Sequence, residues 1–365
     1  MSEDLPSKGA VRRASRVLRE RHLQPTEEVI EAFRVAHAWR EAHLAPTRAF
    51  RSSIAAHTRS IAPEGFTAAR LKRMRSIRRK LRQPGHNLVD VQDLGGCRAV
   101  LPDIASCTTL ATRILERSIH TPRRRTDYID RPRDSGYRSD HIVFRIEAPN
   151  DPIAHGRLVE VQLRTALQHA WATAVEAVGL VRRENLKGGE GHQGWLRFFQ
   201  LMAGEIAHIE QACPPPSVPE NVAERRGEIA DLNAQLDAVA SLDSYRRAIR
   251  AASDFEAMRG GLFLIQYDPN SREVSVDRTA LSPGERYARA EQSAQHIDTV
   301  LVDVDGAEDL HRAFPNYYLD VRMFLELIPS STRTNADQLG IAPSQDTWRP
   351  DFSQILGRKW KRGED

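Results

Sequence analysis

Apolar positions change their spacing as the chain proceeds. After Thr26 the residues Val29, Phe33, Ala36 and Arg40 follow steps of three and four, with Glu27 and Glu28 in the first turn, which predicts a helix capped by Thr26. Pro46 interrupts it, RAFRSSIAAHTRSI continues helically to Pro63, and residues 67–82 read as a further helix ending at the turn QPGHN. From about Val89 the period shortens: CRAVL, DYI, HIVFRI and LVEVQLRT are short runs rich in β-branched or aromatic residues, spread among the helical stretches SCTTLATRILERSI, ALQHAWATAVEAVGLV and WLRFFQLMAGEIAHIE. The pattern predicts an α/β fold of mixed α+β character, with one β-sheet flanked by helices.

The proline-rich PPPSVPEN at 214–221 marks a linker. Beyond it, Ile229, Leu232, Leu236, Val239 and Leu242 outline one long amphipathic helix. A hairpin around DPNS, a helix in GERYARAEQSAQ, a strand DTVLVDVD and helices from GAEDLHRAF to RMFLELI then make a small α+β unit. The expected organisation is a flexible start at 1–25, a main domain at 26–213, linker and long helix at 214–259, a small C-terminal domain at 260–329 and a polar tail at 330–365.

Composition narrows the class. Of 365 residues 40% are hydrophobic and 28% charged, and no run approaches the length of a membrane helix. No apolar leader opens the chain, so a cytoplasmic location is expected. Three cysteines, none in a CxxC pair, form neither a disulfide framework nor a zinc motif. The formal net charge is only +4, yet Arg70, Lys72, Arg73, Arg75, Arg78, Arg79, Lys80 and Arg82 follow one another without an acid, and Arg123, Arg124, Arg125, Arg131, Arg133 and Arg138 crowd a second stretch. Such concentrations suit a polyanionic ligand, phosphate esters or nucleic acid.

Alternation in LVEVQLRT places Val159, Val161 and Leu163 on one face and Glu160, Gln162 and Arg164 on the other. A solvated strand edge reads the same way, but DLGG, with Asp93 and two glycines before a strand carrying Arg98, supplies a second carboxylate. Asp93 and Glu160 from two strands of one sheet suit Mg²⁺, which keeps several waters and bridges substrate phosphates. The loop RRRTDYIDRPRDSGYRSDH adds arginines for phosphate and, in Tyr137 beside Gly136, an aromatic able to face a nucleobase. Gly189, Gly191 and Gly194 spell GxGxxG with no strand before them and read as a loop.

RLKRMRSIRRKL, DLGGCRAV, DYIDRPRDSGYRSDH and EVQLRTALQHAWATAVE, in that order, resemble the synthetase domain of the RelA/SpoT family of alarmone synthetases, over about residues 26–210. The resemblance implies transfer of pyrophosphate from ATP to the 3′-hydroxyl of GDP or GTP, making (p)ppGpp and AMP. It implies Arg70, Lys72, Ser76, Lys80 and Arg98 at ATP, Asp93 and Glu160 at Mg²⁺, and Glu160 as base. At the acceptor it implies Tyr137, stacked on the base, with Arg133, His141, Gln162 and Arg164. Arg133-Asp134-Ser135-Gly136-Tyr137 replaces the Lys-Pro-Asn-Gly-Tyr of housekeeping members, and Asp140 adds a charge beside His141. No His-Asp dyad of a hydrolase half precedes these motifs. A synthetase followed by a small domain is similar to the toxic branch of the family, some members of which modify the tRNA 3′ end. A catalytically silent nucleotide- or RNA-binding regulator is the alternative from another class.

Overall fold

The computed structural model describes residues 5–247, 250–251, 259–271, 273–279, 282–293, 296–315 and 321–329; the tail expected at 330–365 lies outside the described residues. In chain order the elements are α1 (Lys8–Leu18), α2 (Glu27–Glu41), α3 (Leu44–Ile61), β1 (Phe66–Leu71), α4 (Met74–Leu81), β2 (Gly95–Leu101), α5 (Ile104–Arg117), β3 (Thr121–Asp127), β4 (Asp140–Arg145), β5 (Leu158–Thr165), α6 (Ala166–Arg182), α7 (Gln193–Ile209), α8 (Val222–Leu236), α9 (Ala238–Arg247), β6 (Arg250–Ala251), β7 (Arg259–Asp268), β8 (Glu273–Arg278), α10 (Pro283–Ser293), β9 (Asp298–Gly306), α11 (Ala307–Ala313) and α12 (Arg322–Leu327). The fold is α/β: among the described residues nine strands form one sheet in the order β3-β4-β5-β2-β1-β9-β7-β8-β6. The pairs β2–β5 and β6–β8 are parallel and the rest antiparallel. No helix among them is long and apolar enough to cross a membrane.

Local chemistry sets the elements nearest the cleft. Thr26 accepts from the Val29 amide and opens α2 as expected. Thr165 and Gln168 form a reciprocal capping box, so α6 starts on the residue after β5 and runs straight back over the sheet. Gly95 lets β2 lie against α3, where a Cβ would meet Thr47 Oγ1 at 2.0 Å. Val159, Val161 and Leu163 face a core shared with Phe50, Leu110, Ile114 and Phe144, which leaves the other face of β5 for the cleft.

Several expectations need correction. Residues 67–82 are not one helix: Phe66–Leu71 is a strand and only Met74–Leu81 is helical, because β1 pairs on both sides and four of its residues are at most 3% exposed. The arginine stretch 123–125 is not loop but part of β3, held by pairing with β4. Lys8–Leu18 is a helix rather than a flexible start, since Val11 and Leu18 are fully covered by the layer of α2 and α4. The long helix over 229–242 breaks at Asp237, whose φ of 48° separates α8 from α9.

The C-terminal stretch does not form a sheet of its own. β9 pairs with β1, register Ala69↔Asp303, and with β7, so the hairpin β7–β8 extends the sheet begun by the N-terminal half. The segment at 214–221 is likewise no free linker: Val218 is buried against Gly204, and Arg225 pairs with Glu205 at 2.6 Å, both side chains 3% exposed. Phe324 and Leu325 of α12 share a core with Trp171, Phe198 and Phe199 of α6 and α7. Ion pairs close the seam: Arg40 with Glu291 at 2.8 Å, Arg48 and Arg51 with Asp303 at 2.9 and 2.7 Å, and Arg73 with Asp298.

Candidate active site

The face of β5 turned away from the core forms the floor of a cleft of about 320 Å³. Arg70, Lys72, Lys80, Asp93, Arg133, Tyr137, His141, Glu160 and Gln162 line it together with Gln92, Arg124, Thr126, Tyr128, Val143 and Lys187. It continues into a narrower recess of about 60 Å³ that shares Arg70, Lys72, Asp93, Glu160 and Gln162 and adds Gly96, Arg98 and Phe314. Parallel pairing of β2 with β5 sets Gly96 beside Glu160, and Asp93 leads into β2. The two carboxylates therefore enter one cleft from neighbouring strands.

Asp93 is held from both sides by Lys72 Nζ at 2.7 Å and Lys80 Nζ at 3.1 Å. Burial raises its pKa, but the two ammonium charges outweigh burial and hold it down to about 2. Glu160 accepts from Gln162 Nε2 at 2.6 Å on one oxygen and is 3.0 Å from His141 Nδ1 on the other. Burial and Asp93 push Glu160 up while His141 and Gln162 pull it down, and the net direction is down. Both groups are anions at neutral pH. Each carboxylate keeps lone pairs beyond those hydrogen bonds, and among the described residues no cluster of three His, Cys, Asp or Glu forms a protein-only metal cage. Two carboxylates open to a cleft fit Mg²⁺, which is bound by one or two carboxylates plus substrate phosphates and water.

Cations ring this anionic pair. Arg70 comes from β1, Lys72 from the connection to α4 and Lys80 from α4, so the basic run reaches the cleft through three pieces of backbone. Ser76, half-buried on α4, lines neither the cleft nor its recess. Arg98 reaches the recess from β2; burial first, then the like charges of Arg164 and Arg70, lower its pKa, and its Nε has no hydrogen-bond partner. A guanidinium whose buried Nε–H has no partner is suited to an anion.

Tyr137 follows Gly136, whose φ of 87° and contact with Ala203, 2.7 Å from where a Cβ would stand, require glycine. The tyrosine ring is only 7% exposed, edge-on to Tyr128, His141 and Trp171 and approached by Arg133 and Lys187 at 5.8 and 5.7 Å. A base stacking on it has to displace one of these cations. Arg133 also covers the more accessible ring of Tyr128 at 4.4 Å and donates to its hydroxyl at 2.6 Å. Arg164 lies behind the wall, fully buried. Asp140 does not bear on the cleft: it pairs with Arg125 of β3 at 2.8 Å.

Two contributors were not legible in the sequence. Lys187 enters from the loop after α6, bonded to Glu176 at 2.5 Å. Its only local signal was the glycine-rich stretch that follows, where Gly189 and Gly191 take positive φ. The second is the C-terminal segment. Arg98 Nη1 donates to the Ala313 carbonyl at 3.2 Å and its guanidinium lies 5.9 Å from the Phe314 ring, while His169 Nε2 is 2.9 Å from the Arg312 carbonyl. His169 is a packed side chain, 7% exposed, its pKa lowered to about 3, chiefly by burial.

Residues 69–179 match the family model described as a region found in RelA / SpoT proteins. Over 114 residues the chain is 31% identical to the GTP pyrophosphokinase YjbM of Bacillus subtilis (strain 168), a match covering 30% of this chain and 54% of that protein. The chain thus spans about half the length of this relative. Among solved structures it is similar to the small alarmone synthetase 1 of Bacillus subtilis bound to its product pppGpp, at 22% identity and TM-score 0.39 over 52% of this chain and 97% of that one. A GTP pyrophosphokinase family protein from Streptococcus pneumoniae aligns at 23% identity and TM-score 0.38 over 55% of this chain and 96% of that one. Residues 69–179, the stretch that matches this family model, supply most of the cleft.

Proposed function

We propose that the cleft transfers a pyrophosphoryl group from ATP to the 3′-hydroxyl of a guanine nucleotide, GDP or GTP. The observation that carries this reading is the pair Asp93 and Glu160 in one cation-lined cleft formed by a RelA/SpoT-type region. Arg70, Lys72, Lys80 and Arg98 hold the donor phosphates, with the recess taking the donor side. Arg133, Tyr128 and Tyr137 hold the acceptor, whose 3′-hydroxyl lies at Glu160. The hydroxyl oxygen attacks the β-phosphorus of ATP, its proton passes to Glu160, the bond from that phosphorus to the oxygen bridging it to the α-phosphorus breaks, and AMP leaves. Asp93 and Glu160 are the residues that would hold Mg²⁺, which when bound offsets the charge gathering on the phosphate oxygens.

Incubation of the purified full chain with γ-labelled ATP and Mg²⁺, offering GDP, GTP and deacylated tRNA in separate reactions, tests the reading. Label on GDP or GTP is expected. The exposed arginines Arg123 and Arg124 on β3 favour tRNA as the second acceptor, since they add positive charge at the rim of the cleft for further phosphates. Label on tRNA alone would replace the nucleotide reading, and no transfer to any of them would leave a nucleotide-binding regulator.

The contacts of Ala313 and Phe314 with Arg98 engage a donor-phosphate arginine with the chain's own C-terminal segment. Phe314→Leu keeps an apolar side chain in that core but removes the ring from the guanidinium. A cation–π contact of about 0.5–1 kcal/mol corresponds to about a 2- to 5-fold lower KM for ATP. An unchanged or raised KM in initial-rate assays would show that the segment does not compete with the donor.

A further inference from the structure

We infer that Arg164 is a positioning residue that holds the Glu160 carboxylate from behind the cleft, an inference that rests on the pyrophosphoryl-transfer reading. Alternation along β5 puts Glu160, Gln162 and Arg164 on one side of the strand. Unlike the other two, Arg164 is 0% exposed and absent from the wall of the cleft, so it does not touch the acceptor in this arrangement. Its Nη2 donates to the Tyr137 hydroxyl at 2.6 Å and to Gln162 Oε1 at 3.0 Å. Both paths end on Glu160: the Tyr137 hydroxyl is 2.7 Å from His141 Nε2, whose Nδ1 is 3.0 Å from Oε1, and Gln162 Nε2 donates to Oε2 at 2.6 Å. The five side chains close a ring.

Arg164 at one end of that ring and the Glu160 carboxylate at the other fix the direction of its bonds. A guanidinium only donates. The Tyr137 oxygen therefore accepts from Arg164, which turns its own proton toward His141 Nε2, and because a carboxylate only accepts, the His141 Nδ1 that faces Glu160 carries a proton. Likewise the Gln162 amide must turn its oxygen toward Arg164 and its NH₂ toward Glu160. Both carboxylate oxygens thus receive donors and the carboxylate plane is set before substrate arrives. Without Arg164 the Tyr137 hydroxyl and the Gln162 oxygen lose the donor that anchors them, and Glu160 alone is left to orient the amide and the imidazole. Packing alone does not explain the residue: Arg164 Nε and Nη1 are buried with no hydrogen-bond partner, and an apolar side chain would fill the same space at lower cost.

The test uses Arg164→Met and Arg164→Lys in the full chain. At saturating ATP and Mg²⁺, with the acceptor varied, Arg164→Met is expected to lower kcat by about 10- to 100-fold while the acceptor KM moves less than about 3-fold, as for a misaligned base. Because both bonds leave one nitrogen, the single ammonium of Arg164→Lys is expected to restore part of kcat. A raised KM with unchanged kcat would make Arg164 an acceptor ligand and overturn the proposal. A second readout needs no turnover: ¹⁵N spectra of histidine-labelled, substrate-free protein are expected to show His141 with its proton on Nδ1 in the wild type and a displaced Nε2 resonance in Arg164→Met, where the Tyr137 hydroxyl is no longer held against that nitrogen. An unchanged His141 signal overturns the proposal even if the wild type transfers nothing, whereas a shifted signal with an inactive wild type would upset only the transfer reading. Should Arg164→Met fail to fold, Tyr137→Phe cuts the His141 arm alone and the same displacement of the Nε2 resonance is expected, its absence counting against the ring.

Discussion

Glu160→Gln is expected to reduce pyrophosphoryl transfer by about 10²- to 10⁴-fold, the range over which a positioned general base acts. Glutamine keeps the shape of the side chain but cannot take the acceptor proton, and it introduces a further conflict. The two oxygens of Glu160 face His141 Nδ1 at 3.0 Å and Gln162 Nε2 at 2.6 Å. An NH₂ placed against either of them sets donor against donor, so His141 has to change tautomer or Gln162 has to flip, and the second change breaks the contact with Arg164. Label transfer from ATP at saturating substrates, with thermal unfolding as a control for folding, checks the result. Retention of activity within about 3-fold of wild type would remove Glu160 from the proton transfer.

Asp303→Ala is expected to produce the largest loss of stability. Asp303 lies within β9, opposite Ala69 of β1, in the part of the sheet where the C-terminal strands join the N-terminal ones. It is 2% exposed, and Arg48 Nε and Arg51 Nε reach its two oxygens at 2.9 and 2.7 Å. Removing one partner of a buried ion pair leaves the other charge desolvated, a loss of about 3–5 kcal/mol. Arg51 retains Asp305 at 2.8 Å, which puts the expected value near the low end, about 3 kcal/mol, and lowers Tm by roughly 4 °C for a chain of this length. Thermal and urea unfolding measure it. Because the pair is buried, added salt is expected to change the difference little. A loss below about 0.5 kcal/mol would mean that apolar packing of β9 holds the seam without the charges.

How far the sequence reached varies with the range of the interaction. Val159, Val161 and Leu163 declare their face through the period of two, and the structure buries all three completely. Thr26 and the turn at Asp268–Asn270 are short-range features and stand as expected. The stretch 67–82 reads as helix because arginine and lysine at close spacing satisfy helix propensity; pairing of β1 with β2 and β9 overrides that local preference for its first third. The same cause moved Arg123, Arg124 and Arg125 into β3, since an arginine-rich strand at a sheet edge carries no apolar alternation. Tyr137 was expected to offer a free ring, but the neighbours that cover it, Trp171 and Lys187, come from segments far along the chain.

By itself the sequence determined the α/β class, the two carboxylates, the concentration of cations and the order of the motifs, because each rests on residue type and on spacing within a few residues. Only the tertiary structure decided that the C-terminal strands extend the main sheet, that Lys187 and Phe314 reach the cleft, and that Arg164 stands behind it. The joining of the C-terminal strands and the reach of Phe314 depend on contacts such as Arg51 with Asp303 and Arg98 with Ala313, between residues more than two hundred positions apart. Such pairs leave no periodic trace in the chain, since burial and ion pairing select them only once the layers have met.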